Sequence, residues 1–283
     1  MNILQIFRSL AKTKSEIIGI GFGESEFHNK KILEACISHL KEFNSKILIF
    51  GKKQYVDSIQ LKDIAGFDIN FIKSNDPELN IFEFLNENKV GAIVRGSLSS
   101  RKFLENFKRI LKIDETYRLA LLETYNGHQF FYGPVGIDEC NNLETKLRFL
   151  KYSINEFKTL GIIPKISILS GGRKSDIGRD SRVDESIKIA DKIVEDIKEK
   201  FQNLEISHDE ILIENAINNK SNLILAPDGI SGNLIYRTLV HLGGGKAYGA
   251  IYMGLKDIII DTSRVGKVSE IQGALLLALA LTK

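Results

Sequence analysis

Four stretches of the chain set a small or glycine-rich turn between an apolar run and a helical pattern, where unpaired amides and the helix start favour anions. Asp261-Thr262-Ser263-Arg264 sets a hydroxyl beside a guanidinium just before a helical pattern. This pair suits phosphate, because a guanidinium makes two parallel charge-assisted hydrogen bonds and a helix start adds free amides. The competing use of Arg264 is an ion pair with Asp261 or another carboxylate. Ser170-Gly171-Gly172-Arg173-Lys174 follows an apolar run; its glycines let backbone amides approach a ligand and its two cations attract an anion. It lacks the spacing of a P-loop, and a solvated basic loop is the plain alternative. Asp228, Gly232 and Asn233 belong to Pro227-Asp228-Gly229-Ile230-Ser231-Gly232-Asn233, where Ser231 or Asn233 could instead cap the next helix. Arg95 and Ser97 follow a short apolar run, and Arg95 could reach a substrate or meet a carboxylate.

Other residue types exclude chemistry. Gly19, Gly21 and Gly23 are spaced G-x-G-x-G rather than G-x-G-x-x-G, and Phe50-Gly51-Lys52 stands where a dinucleotide fold places an acid. A loop for S-adenosylmethionine would carry an acid where Ile17 stands. His28, His39, His128, His208 and His241 form no metal-ligand spacing and read as surface or packing residues. Cys36 and Cys140 are far apart and read as two reduced thiols. No metal and no tightly bound cofactor is expected.

The elements that must position these residues alternate. Apolar runs at 17–20, 46–50, 67–72 and 91–94 precede helical patterns at 30–43, 81–89 and 100–111. A second series has strands at 166–169, 223–226, 247–252 and 258–261, with a strong amphipathic helix at 183–201. Asn126-Gly127 between two apolar runs signals an antiparallel hairpin. Residues from 267 onward form a helix apolar on nearly all sides, which calls for burial. The fold class is α/β with two domains, mostly parallel sheets and helices on both faces. Gly161 marks the expected boundary: residues 1–160 form one domain, to which 262–283 return, and 161–261 the other. At 283 residues, 43% hydrophobic and 27% charged, the chain has ample core. A net charge of +3 without a concentrated basic face gives no sign of nucleic acid. No apolar run approaches a membrane span and no secretory signal appears, so a cytoplasmic protein with no membrane partner is expected.

The C-terminal third resembles the phosphate acetyltransferase and butyryltransferase group. The matching residues are Pro227-Asp228 leading to Gly232-Asn233, then Leu242-Gly243-Gly244, Ala247–Leu255 and Asp261-Thr262-Ser263-Arg264, in the family's order and spacing. Taken whole, the chain is similar to the MtxX proteins of methanogenic archaea, a methanogenesis-marker family named as methyltransferase-related. The resemblance implies a two-domain fold like isocitrate and isopropylmalate dehydrogenases, with the active cleft between domains. It implies that Ser263 and Arg264 hold the phosphate of an acyl phosphate; the residues themselves add the expectation of a small phosphorylated or acyl-phosphate substrate with Arg173 and Lys174 closing over it. Coenzyme A is the implied co-substrate, and a homodimer the implied assembly. Counting six residues past Arg264, where the acetyltransferases place a general base, reaches Glu270. This sequence departs from the family there, with a longer carboxylate, and at Val265-Gly266. A first-turn glutamate stabilising its helix is the alternative role for Glu270. The function implied is a phosphate acyltransferase-like group transferase. Its rivals are a methyltransferase or methyl-transfer accessory and a non-catalytic module that binds a phosphate ligand.

Overall fold

The computed structural model describes residues 2–57, 64–264 and 266–283. Val265, one of the departures from the family pattern, lies outside the described residues. The chain opens with α1 (Ile3–Ala11), β1 (Ile17–Gly21), α2 (Glu26–Glu42), β2 (Lys46–Gly51), α3 (Lys53–Val56), β3 (Ile69–Lys73), α4 (Pro77–Asn86), β4 (Ala92–Val94) and α5 (Ser100–Leu111). It continues with β5 (Arg118–Glu123), β6 (Gln129–Gly133), α6 (Leu143–Thr159), β7 (Lys165–Leu169), α7 (Ser181–Lys200), β8 (Glu205–Glu210), α8 (Ile213–Asn218), β9 (Leu223–Leu225) and α9 (Gly229–Arg237). It closes with β10 (Lys246–Tyr252), β11 (Ile258–Asp261) and α10 (Val268–Leu281).

Helices α2 and α4 begin about one turn before their apolar periodicity does, because polar caps start them. Ser25 caps α2, and Asp76 accepts the Leu79 amide at 3.2 Å with Pro77 as the first helical residue of α4. β8 gives no apolar signal, since Glu-Ile-Ser-His-Asp-Glu is mostly polar. It pairs with β7 at the end of the strand order, where charge is tolerated and discourages further pairing.

The chain divides into two compact units, residues 2–116 with 247–283, and residues 117–246. The boundary expected at Gly161 falls inside the second unit. The Asn-Gly hairpin β5–β6 carries the sequence into that unit's sheet, since β6 pairs in parallel with β9.

In the first unit the strand order is β3-β2-β1-β4-β11-β10. β1, β2, β3, β4 and β11 run parallel, and β10 is antiparallel to β11. The carboxyl ends of β1, β2, β4 and β11 therefore meet on one edge. Rings from α4 and α5 lock the helices that start there: Phe82 and Phe103 lie 4.7 Å apart, and Phe107 and Tyr252 4.6 Å apart. α10 packs on α1 and α2 and is buried from Gly273 to Ala280, as its apolar circumference requires. In the second unit the order is β5-β6-β9-β7-β8, parallel except for the β5–β6 hairpin. Among the described residues no helix is long and apolar enough to cross a membrane.

Candidate anion site

The glycines after β1 serve packing. A Cβ on Gly21 would lie 2.2 Å from the Leu98 side chain, and one on Gly23 2.0 Å from the Ser97 carbonyl oxygen. Their absence lets the β1–α2 turn press against the β4–α5 turn. Gly96 completes the contact with φ +62° and no room for a side chain beside the Gly21 carbonyl. Ser97 ties the two turns together: its hydroxyl accepts the Gly23 amide at 2.7 Å and donates to Asn29 Oδ1 at 2.8 Å. Asn29 in turn donates to the Gly23 carbonyl at 2.9 Å.

The two arginines of the edge have opposite surroundings. Arg95 is buried; its Nε donates to Asp261, one terminal nitrogen to the Thr262 carbonyl, and the other to the Leu98 carbonyl at 3.0 Å. The ion pair foreseen as an alternative for Arg264 thus exists, with a different arginine. Arg95 is a structural brace rather than a group open to a ligand. Arg264 is exposed, and among the described residues no carboxylate takes it up. Ser263 donates its amide to Glu270 Oε1 at 2.6 Å, and Gly266 donates its own to the Ser263 carbonyl at 3.0 Å. Glu270 is only 3% exposed and does not line the cavity beside Arg264, so its position is that of a clamp on the Ser263–Gly266 turn.

That cavity has a volume of 410 Å³, within the range of about 300–1,000 Å³ usual for small-molecule sites. Phe22 to Ser25 and His28 reach it from the end of β1, Lys52 and Tyr55 from the end of β2, and Arg264 from the end of β11. Pro77 and Glu78 of α4 and Ser97, Ser99 and Lys102 at the start of α5 complete it. Three cations and the first turns of α2 and α5 thus surround one space at the carboxyl ends of parallel strands, where open α/β sheets collect ligands. Burial and the neighbouring Lys31 hold His28 below its ordinary imidazole value. Sequence reading singled out Arg264 and Ser97 but missed Lys52, Lys102, His28 and Glu78. The available signal was position alone, since each lies just past a strand or in a helix's first turn.

The remaining sequence candidates belong to the second unit, and none lines this cavity. Asp228 caps α9 by accepting the Ser231 amide at 2.8 Å, which corrects the expectation that Ser231 or Asn233 does so. Asp228 wins because its carboxylate stands one residue ahead of Gly229, where the helix starts. A Cβ on Gly232 would lie 2.0 Å from the Pro134 carbonyl, and Asn233 donates to the Val135 carbonyl at 2.8 Å. This motif therefore docks α9 on the segment after β6. Ser170 is buried, its hydroxyl donating to the Gly172 carbonyl at 2.9 Å and lying 2.8 Å from His208 Nε2. His208 Nδ1 stands 2.7 Å from Asp191, which also receives Lys174 at 3.0 Å. Burial raises the Asp191 carboxyl, but the bonds from His208 and Lys174 outweigh it and leave it below its ordinary value. Gly171 donates its amide to Ser186 at 2.9 Å, while the Arg173 side chain is exposed. His208 was read as a packing residue; its chain to Ser170 and Asp191 spans elements that spacing does not connect. Among the described residues no three His, Cys, Asp or Glu side chains are grouped to hold a metal ion.

Comparison with known proteins agrees with this edge-and-turn architecture. Residues 52–279 match the family described as Phosphate acetyl/butaryl transferase. A Methanosarcina mazei protein named as methyltransferase mtx subunit X is 36% identical, over 99% of this chain and 95% of its own. Among solved structures, a phosphotransacetylase from Streptococcus pyogenes superposes with a TM-score of 0.73 at 17% identity, over 98% of this chain and 97% of that one. The EutD phosphotransacetylase from Staphylococcus aureus gives 0.69, also at 17%, with the same 98% and 97% coverage. At such identity the two structures speak for the fold. The chain belongs to the phosphate acetyl/butaryl transferase family, among relatives that carry the name mtx subunit X.

Proposed function

We propose that this protein is a phosphate acyltransferase-like group transferase whose 410 Å³ cavity receives the phosphate of a small phosphorylated or acyl-phosphate substrate. One observation carries the reading: Asp261, the carboxylate nearest in sequence, is occupied by Arg95, which leaves the guanidinium of Arg264 on a cavity it shares with Lys52 and Lys102. Ser263 is set beside it by Glu270, which acts in this reading as a positioning residue. With coenzyme A as co-substrate, a phosphate oxygen adds to the thioester carbonyl carbon. The carbon–sulfur bond then breaks, and the departing thiolate takes the proton of hydrogen phosphate. Fixed positive charge around the phosphate supplies the stabilisation.

The test is stabilisation by phosphate, read as a rise in melting temperature, together with acyl phosphate formation from an acyl-coenzyme A and phosphate. Both should be lost in Arg264→Ala; an unchanged response to phosphate in that variant rejects the site. A second reading, methyl transfer, rests on the name of relatives 36% identical over nearly the whole chain. It expects stabilisation by S-adenosylmethionine, or by a corrinoid or pterin partner, in place of phosphate. Stabilisation by phosphate with no turnover would instead indicate a binding module.

A further inference from the structure

Glu78 stands out in a cavity that otherwise gathers positive charge. Its side chain belongs to the first turn of α4, lines the cavity and is 6% exposed. Oε1 accepts the Ser99 amide at 3.2 Å. Oε2 is buried and, among the described residues, has no hydrogen-bond partner. A buried carboxylate oxygen without a donor is unfavourable, and such groups are rare in folded proteins unless something else supplies the hydrogen.

A phosphate group that offers no hydrogen, drawn in by Arg264, Lys52 and Lys102, would leave this oxygen unsatisfied and be repelled by its charge. A ligand with a hydrogen-bond donor near its phosphate meets both demands, and the cavity extends past the cations to Phe22 and Pro77. We infer that the cavity selects phosphorylated compounds whose carbon chain carries a hydroxyl or ammonium group that donates to Glu78, over those with a plain hydrocarbon chain. This rests on the phosphate reading above and narrows its substrate class.

Ethyl phosphate, phosphoethanolamine and glycerol 3-phosphate separate the possibilities, since they share a phosphate monoester and differ in the donor. Titration calorimetry on the whole chain should show phosphoethanolamine or glycerol 3-phosphate binding about tenfold or more tighter than ethyl phosphate, the scale of one hydrogen bond to a charged group. Whichever binds tighter identifies the donor as amine or hydroxyl. Glu78→Gln keeps an acceptor for the Ser99 amide and should erase the preference, with ethyl phosphate bound at least as well as before. Equal binding of all three by the unaltered protein, lost in Arg264→Ala, overturns this inference and keeps the phosphate site. A preference that survives Glu78→Gln also overturns it. No binding of any phosphate, with Arg264→Ala indistinguishable, removes the phosphate site and this inference together.

Discussion

Arg95 and Arg264 follow neighbouring parallel strands of one sheet and have opposite fates. Arg95 follows β4 and is buried, its guanidinium donating to Asp261 and Thr262 at the end of β11 and to the Leu98 carbonyl of its own turn. Arg264 sits in the turn after β11 and faces a cavity. The first makes the second available: by occupying Asp261, Arg95 removes the nearest carboxylate that could neutralise Arg264. A guanidinium beside an acid in sequence is therefore no sign of a pair in space when another arginine has reached the acid first.

The sharpest way to break this contrast is Arg95→Ala, which strands Asp261 as a buried charge. Loss of one partner from a buried pair costs about 3–5 kcal/mol, and urea unfolding should show a fall of that size together with loss of phosphate binding. A cost under about 1 kcal/mol would mean that the pair does not hold the turn.

His39 sharpens the contrast from another side, as a buried ionisable group whose Nε2 has no partner among the described residues. Burial pulls its imidazole from 6.5 down to about 4. The unfolded chain takes up this proton below pH 6.5 and the folded chain only near pH 4, so the contribution to stability is complete above pH 6.5 and fades on acidification toward 4. The loss is on the order of 3 kcal/mol, and His39→Asn should unfold with a visibly flatter pH dependence over that interval. Equal slopes would reject the assignment.

Glu270 is the next lever. Glu270→Ala leaves the Ser263 amide without its acceptor, at a cost of about 1–3 kcal/mol, whereas Glu270→Gln keeps an acceptor and should melt close to the unaltered protein. If Glu270 only positions Ser263, the glutamine variant also retains acyl phosphate formation; complete loss there would restore the general-base role. Smallest in stability is Arg264→Ala, expected within about 0.5 kcal/mol, because an exposed arginine holds nothing in place. Its whole effect should fall on anion binding.

Much of the fold was legible because the apolar runs and helical periods were strong: β1, β2, β7 and β11, and α5 and α10, lie at or within a residue or two of their expected places. β8 was illegible, since an edge strand of Glu, Ser, His and Asp has no alternation to read. Ser263 does not line the cavity, but the neighbouring Arg264 does and was visible through its place just past an apolar run. The Arg95–Asp261 pair was not, because its partners are 166 residues apart and nothing local links them. The spacing of Gly19, Gly21 and Gly23 spoke against a cofactor loop, yet what Gly21 and Gly23 do was hidden for the same reason: their purpose is contact with Leu98 and Ser97, a relation that sequence order does not display.

The discontinuous make-up of the first unit has a consequence for biosynthesis. β11 pairs with β4 from inside that sheet, yet it is translated only after residues 117–246, which form a unit of their own. On the ribosome the later-coded 117–246 unit can mature while β4, made earlier, still waits with one edge unpaired. The arginine that faces the cavity and the clamp that sets its turn emerge only after that unit, so competence for anion binding should arise after it has been made. A nascent chain halted before residue 258 would carry Lys52 and Lys102 but no assembled pocket.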